Sequence, residues 1–186
     1  GEDILETSAN NLYENITARE AKDFQDSAQN SLNSRLVKKD GRVVEQVYRA
    51  GTDDISPGLY SNELKNVIKE FEAAHKYTTK AQQKTITELV KFFRTGDLND
   101  FRNYNIAWLQ DDPSVDFING FIEVYLDALG QKAEYEGGVF YVDKKTSKLM
   151  KDIAESAQYF EERMPWDDRY KQEKPNIPIA NSINLI

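Results

Sequence analysis

The chain has 186 residues, enough for one domain with its own core, and carries 32 acidic against 24 basic side chains, a formal net charge of -8. That acidity, with an isoelectric point near 4.8, speaks against a nucleic-acid groove and an anionic membrane surface, both of which need clustered Lys and Arg. The absence of cysteine removes disulfides and thiol chemistry, and no apolar run approaches the roughly 20 residues of a membrane helix.

No signal-peptide pattern precedes Glu2, the leading glycine reads as a cleavage remnant, and neither a cytoplasmic nor an exported location is selected. Residues 1–16 are polar and mixed, with Leu5, Leu12, Tyr13 and Ile16 as packing points. Thr17-Ala18-Arg19-Glu20 is a capping box and predicts a helix running to about Leu32. Leu36 to Val44 reads as a hairpin, because Asp40-Gly41 between two β-branched runs suits a tight turn with positive φ. Its second arm continues through Val47 and Tyr48, and residues 51–58, with Pro57 and two aspartates, form a loop.

From Leu59 to Tyr77 the apolar residues Leu64, Val67, Ile68, Phe71 and Ala74 mark the buried stripe of an amphipathic helix. Thr79-Lys80-Ala81-Gln82 opens a second helix, with stripe Ile86, Leu89, Val90 and Phe93, closed by Gly96 after Thr95. The short polar link makes the two an antiparallel αα-hairpin. A third, shorter helix carries Leu98, Phe101, Asn105 and Trp108.

The stretch from Val115 to Asp143 organises the rest. As a strand it alternates faces: Ile118, Gly120, Ile122, Val124 and Leu126 on an aliphatic side expected to be buried, and Phe117, Asn119, Phe121, Glu123 and Tyr125 on the other. Residues 127–130 turn the chain, and Ala133 to Val142 forms a second strand. Lys144 to Arg163 follows as a helix with Leu149, Met150, Ile153, Ala157 and Phe160 inward, stopped before Pro165. The tail, 171–186, holds Pro175 and Pro178 and is expected to be irregular. With no repeats and no shift in composition, the chain reads as a single α+β unit over 1–186. It is helix-rich, with two β-hairpins in one small sheet or part of a β-barrel.

On pattern alone, Glu123 and Tyr125 project together from the strand's polar side, which is also what any wet strand face does. Asn119, on that face, either bonds a substrate backbone or pairs with a neighbouring loop. Asp127 is a turn residue capping its own backbone. Glu134 and Glu136 form a carboxylate pair of the kind used in glycoside hydrolysis, giving a third reading as an acidic hydrolase, but nothing else here supports that chemistry. His75, late in its helix, reads as structural or surface.

Gly120-Phe121-Ile122-Glu123-Val124-Tyr125-Leu126-Asp127-Ala128-Leu129-Gly130, followed by Glu134-Tyr135-Glu136-Gly137, resembles the Gly-Phe-Ile-Glu-x-Tyr-x-Asp-Pro-(Leu/Phe)-Gly and aromatic-Glu-Gly pattern of the dipeptidyl peptidase III family. Leu32-Asn33-Ser34-Arg35-Leu36-Val37, Thr95-Gly96-Asp97-Leu98, Ile106-Ala107-Trp108 and Pro165-Trp166-Asp167-Asp168-Arg169-Tyr170 extend the likeness over about residues 10 to 170. Two departures stand out: Ala128 replaces the family's proline, and an additional glycine, Gly138, precedes Val139.

The resemblance implies a partial lobe of a larger two-lobed zinc peptidase that releases dipeptides from peptide N-termini. By the same likeness Glu123 anchors the substrate's free ammonium and Tyr125 donates near the scissile bond. Ser182-Ile183-Asn184-Leu185-Ile186 also resembles the family's Gly-Ile-Asn-(Leu/Ile)-Pro-Asn, which makes Asn184 a candidate for holding substrate backbone, although serine and isoleucine replace the glycine and proline.

The family's metal sits on a His-Glu-x-x-x-His helix further downstream, and this chain has a single histidine. The expectation is therefore an N-terminal, substrate-binding portion that is inactive alone, with no catalytic or metal-ligating residue of its own. Zinc is expected in the missing C-terminal part. Its partners would be peptides with a free N-terminus and the missing catalytic lobe, with neither nucleic acid nor membrane. The alternative is a stand-alone, non-catalytic peptide- or protein-binding domain that keeps the scaffold.

Overall fold

The computed structural model describes residues 1–8, 11–27, 32–177 and 181–186. They gather into two compact units, one of residues 1–111 and 119–137, the other of residues 112–118 and 138–186. No linker marks the boundary, because it falls inside two strands, and that is why composition along the chain gives no sign of it.

The first unit opens with α1 (Ile4–Thr7), β1 (Tyr13–Glu14) and α2 (Ala18–Ser27). The capping box closes as expected: Thr17 N donates to Glu20 Oε2 at 3.1 Å and Glu20 N to Thr17 Oγ1 at 3.2 Å. The predicted continuation of this helix over residues 28–31 lies outside the described residues. β2 (Ser34–Lys39) and β3 (Arg42–Val47) form the hairpin, with Lys39 opposite Arg42. Asp40 and Gly41 both hold positive φ, 49° and 76°, as a primed turn requires. β1 adds in parallel to β2, completing a three-stranded sheet in the order β1-β2-β3.

Three helices follow: α3 (Ser61–His75), α4 (Lys80–Thr95) and α5 (Leu98–Leu109). Thr79 caps α4 by accepting from Gln82 N, and Gly96 ends it with φ 70° while donating to Phe92 O at 2.7 Å. Any side chain at Gly96 would also strike Val47, since a Cβ there lies 2.8 Å from Val47 Cγ1. Buried Asn33 locks this corner, its amide donating to the carbonyls of Tyr48 and Gly96 at 3.1 and 3.3 Å.

The core of the unit is centred on α4, whose Ile86, Leu89, Val90, Phe92 and Phe93 are all buried. From α3 only Leu64 and Ile68 are buried; Val67 and Phe71 are half-buried and Ala74 is exposed, so the predicted stripe is narrower than its spacing implies. On α5 the buried face is Asp100, Tyr104 and Ala107 rather than the predicted run through Asn105 and Trp108. Asp100 sets that rotation by accepting from Lys91 and Thr95 at 2.7 and 2.6 Å, which turns the acidic side of α5 onto α4. A second apolar cluster, Leu5, Ile16, Ala21 and Leu36, packs with the loop residues Ala128 and Leu129.

β4 (Val115–Phe121) and β5 (Tyr135–Val142) contribute residues to both units, and β6 (Ile183–Leu185) completes a second open sheet in the order β4-β5-β6. The two predicted hairpins thus lie in separate open sheets, not in one sheet or barrel. The tail, expected to be irregular, supplies β6, which pairs antiparallel with β5 through Phe140↔Leu185 and Val142↔Ile183; Pro178 lies outside the described residues.

In the second unit the single helix expected from Lys144 to Arg163 is two, α6 (Lys144–Glu155) and α7 (Ala157–Arg163). Ser156, at the break, donates its hydroxyl back to Asp152 O at 3.1 Å, a bond that bends helices. Leu149, Ile153 and Phe160, expected inward, are exposed. The face of α6 turned toward its own unit instead carries Ser147, whose hydroxyl accepts from Ser182 N at 3.0 Å.

Candidate functional site

The strand that was expected to reach Leu126 stops at Phe121, and its faces are reversed from expectation. Phe117 and Phe121 are buried, whereas Ile118, Ile122 and Val124 are only half-buried and Leu126 is exposed. Aromatic rings bury more apolar area per residue than aliphatic chains, and Phe121 finds ring partners in Tyr48 and Tyr135 at 4.8 and 5.2 Å between centroids. Gly120, at φ 137°, adopts a conformation that L side chains rarely take and breaks the alternation here.

Beyond Phe121 the chain forms a loop to Glu134, returning where Glu134 N donates to Glu123 O at 3.1 Å. Asp127 is the hub of this loop. Its carboxylate accepts from the backbone N–H groups of Leu129, Gln131 and Lys132 at 3.1, 2.8 and 2.8 Å, and from the Tyr13 hydroxyl at 2.9 Å. The cap expected of Asp127 is therefore present, and it reaches further than its own turn. Burial, helped by the Asp127 charge, pushes the Tyr13 phenol above its ordinary range, so it stays a donor.

Next to it, Lys132 is fully buried, with Nζ 2.6 Å from Ser34 Oγ and 3.0 Å from Glu45 Oε1. Burial pulls its pKa down, and the hydrogen bond and charge of Glu45 oppose the fall. Sequence reading missed Lys132, Ser34 and Glu45, because an ion pair joining a turn to a hairpin leaves no periodicity to read.

Glu123 and Tyr125 stand exposed on the outer arm of this tied loop, Tyr125 at 74%. Asn119 lies in the same unit, and its side-chain oxygen accepts from Tyr135 OH at 2.6 Å, the neighbour-pairing alternative considered for it. Asn184 belongs to the other unit, in β6 opposite Tyr141. Glu134 is half-buried beside the aromatic rings, and Glu136 is half-buried on β5.

The sequence profile of peptidase family M49 matches residues 7–186. The chain belongs to peptidase family M49. Among curated relatives of this M49 chain, human dipeptidyl peptidase 3 is 26% identical over 158 residues, 84% of this chain and 21% of the human protein. The Dictyostelium discoideum dipeptidyl peptidase 3 is 28% identical over 146 residues, 77% of this chain and again 21% of the relative. The chain thus spans about a fifth of the length of the curated relatives it matches.

Solved structures agree on the fold. The dipeptidyl-peptidase III of Corallococcus sp. strain EGB superposes with a TM-score of 0.72 at 20% identity, over 94% of this chain and 33% of that one. DPP III from Caldithrix abyssi gives 0.70 at 20% identity, over 88% and 31%.

The donors for the zinc that the resemblance implies are not grouped here. His75, the single histidine, is half-buried at the end of α3, and among the described residues no three His, Cys, Asp or Glu side chains converge to hold a metal. A catalytic zinc takes three protein ligands, and the described residues do not bring three together.

Proposed function

We propose that this M49 chain is the substrate-binding, N-terminal portion of a dipeptidyl peptidase III-like exopeptidase that removes dipeptides from peptide N-termini. Glu123 takes the free ammonium of the substrate in a charge-assisted hydrogen bond, Tyr125 donates near the scissile bond, and Asn119, in the same unit, holds substrate backbone. The hydrolytic chemistry belongs to a zinc-binding segment outside these residues, and the chain alone is inactive. Its partners are then peptides and the remainder of the peptidase, with neither nucleic acid nor membrane.

The observation that carries this reading is the placement of Glu123 and Tyr125. An acidic and a phenolic side chain are held out to solvent by a loop whose own polar groups are satisfied at Asp127. Holding such a loop in place beforehand lowers the entropy cost of binding.

Two measurements test it. The purified chain is expected to carry no stoichiometric zinc and to turn over no fluorogenic dipeptidyl substrate; one tightly bound zinc per chain, or turnover lost to a chelator, overturns the division of labour. Titration with a tetrapeptide is expected to perturb Glu123 and Tyr125 resonances, and the N-acetylated tetrapeptide is not. Equal response to both overturns the ammonium role.

A further inference from the structure

A second feature lies inside the first unit, in a cavity that neither Glu123 nor Tyr125 lines. Four rings follow one another: Tyr60 on Tyr48 at 5.1 Å, Tyr48 on Phe121 at 4.8 Å, and Phe121 on Tyr135 at 5.2 Å. Together they wall a cavity of about 270 Å³, whose lining also includes the carboxylates Glu63 and Glu134 and, among the described residues, no Lys or Arg. Ligand pockets for drug-sized molecules begin near 300 Å³, so this one suits a smaller guest.

Two further observations give the cavity a chemical character. Tyr60 sits at φ 58°, ψ 25°, a left-handed conformation that a bulky aromatic residue rarely takes, and its side chain makes no capping bond to α3. Glycine would meet that backbone freely; what a tyrosine adds is a ring laid against Tyr48. Such strain persists where the surroundings over-determine it and is concentrated at binding sites. The lining is also acidic, with Glu63 and Glu134 beside the rings, and the Tyr48 phenol is pushed above its ordinary range by burial first, then by Tyr60, with Glu134 adding to it. Arg35, a cation that opposes this shift, is committed to Glu14 at 3.3 Å and Gln46 at 2.7 Å and is not part of the lining.

We propose that this cavity binds a small organic cation of the alkylammonium class, its charge over the faces of Tyr48, Tyr60 and Phe121 and balanced by Glu63 and Glu134. Ring faces carry the negative side of the aromatic quadrupole and attract such cations within about 6 Å of the centroid. Desolvation favours a quaternary or tertiary ammonium over a primary one, because alkyl groups fill the apolar lining and little hydration is lost. The proposal goes beyond the exopeptidase reading, since neither Glu123 nor Tyr125 lines the cavity.

Choline and 3,3-dimethyl-1-butanol, which differ only by a carbon in place of the charged nitrogen, separate a cation site from an apolar hole. In an NMR titration of the chain, choline is expected to shift the Phe121, Leu64 and Val67 resonances saturably, and the neutral isostere at least tenfold more weakly. Equal affinity for the two, or no saturable response to choline, overturns the proposal. Tyr60→Gly removes one wall while relieving its backbone. It is expected to lower choline affinity tenfold or more with the melting temperature unchanged or raised, and a folded variant that binds choline as before overturns the proposal. Glu134→Gln, independent of that backbone, is expected to weaken choline several-fold and leave the isostere unchanged; equal effects on both, or none on choline, likewise overturn it.

Discussion

The hydroxyl of Tyr13 donates to Asp127 Oδ2 at 2.9 Å, joining β1 to the candidate loop across 114 positions of sequence. Asp127 is buried and also terminates three backbone N–H groups, so its carboxylate is the point through which the loop is tied to the first sheet. Removing one partner of a hydrogen bond to a charged group costs about 1.5–3 kcal/mol, and each donor left buried adds a desolvation penalty. Tyr13→Phe is accordingly expected to destabilise by about 2 kcal/mol, and Asp127→Ala by more. Hydrogen exchange locates the effect: in Asp127→Ala the amides of Leu129, Gln131 and Lys132 are expected to exchange faster while those of α4 follow global stability. Uniform acceleration would assign Asp127 to the core rather than to the loop.

The pair Lys132–Glu45 gives a prediction in pH. Burial lowers the Lys132 pKa in the folded chain, and the opposing attraction of Glu45 does not reverse the shift. The unfolded chain then holds this proton at pH values where the folded chain has released it. Between the folded value and the ordinary lysine value stability therefore rises with pH. Lys132→Met removes that slope, so the stability advantage of the parent chain over the variant is expected to widen as pH rises toward the ordinary lysine value. At neutral pH the variant takes the ammonium away from a carboxylate that is 17% exposed and keeps the Ser34 hydroxyl as its donor, at a cost of about 3 kcal/mol. Adding Glu45→Gln is expected to recover much of that loss. Denaturant titrations of the two variants across this pH range provide the check.

Phe93 and Phe71, both read from sequence as core residues, separate in the structure. Phe93 is 1% exposed and packs against Phe92 at 5.8 Å, whereas Phe71 is half-buried. Phe93→Ala is expected to cost roughly 3–5 kcal/mol through the cavity it leaves. Phe71→Ala loses only part of a side chain's burial and is expected to cost about 1 kcal/mol. Melting curves showing equal losses would place the two residues in one core.

The same contrast explains what could be read in advance. Signals that act over a few residues were legible: the Thr17–Glu20 and Thr79–Gln82 caps, the Asp40-Gly41 turn and the Gly96 stop all formed as their local chemistry dictates. Faces decided by remote partners were not. Whether the aromatic or the aliphatic side of β4 is buried depends on Tyr48 and Tyr135, and the rotation of α5 depends on Lys91 and Thr95. The exposure of Leu149 and Ile153 follows from which face of α6 its own unit engages, through Ser147 rather than the aliphatic stripe. For the candidate site, the motif pointed to Glu123, Tyr125 and Asp127. The buried Lys132 that anchors their loop carries no local signal.

The proposed ammonium role of Glu123 is testable in an M49 protein that joins this chain to a zinc-binding segment. Glu123 is exposed and makes no side-chain contribution to the core, so Glu123→Gln is expected to leave the melting temperature nearly unchanged. If its carboxylate receives the substrate's ammonium, the substitution leaves that cation without its partner in the closed site. Losing one member of a desolvated charge pair costs on the order of 2–5 kcal/mol, which appears in kcat/KM. Acetylating the substrate's N-terminus removes the other member, so the acetylated peptide is expected to be as poor a substrate for the parent enzyme as the free peptide is for the variant. The two changes are expected not to add when combined, because they delete the same interaction. Additive losses in that cycle, or a variant that cleaves free peptide at the parent rate, would assign the ammonium to another residue.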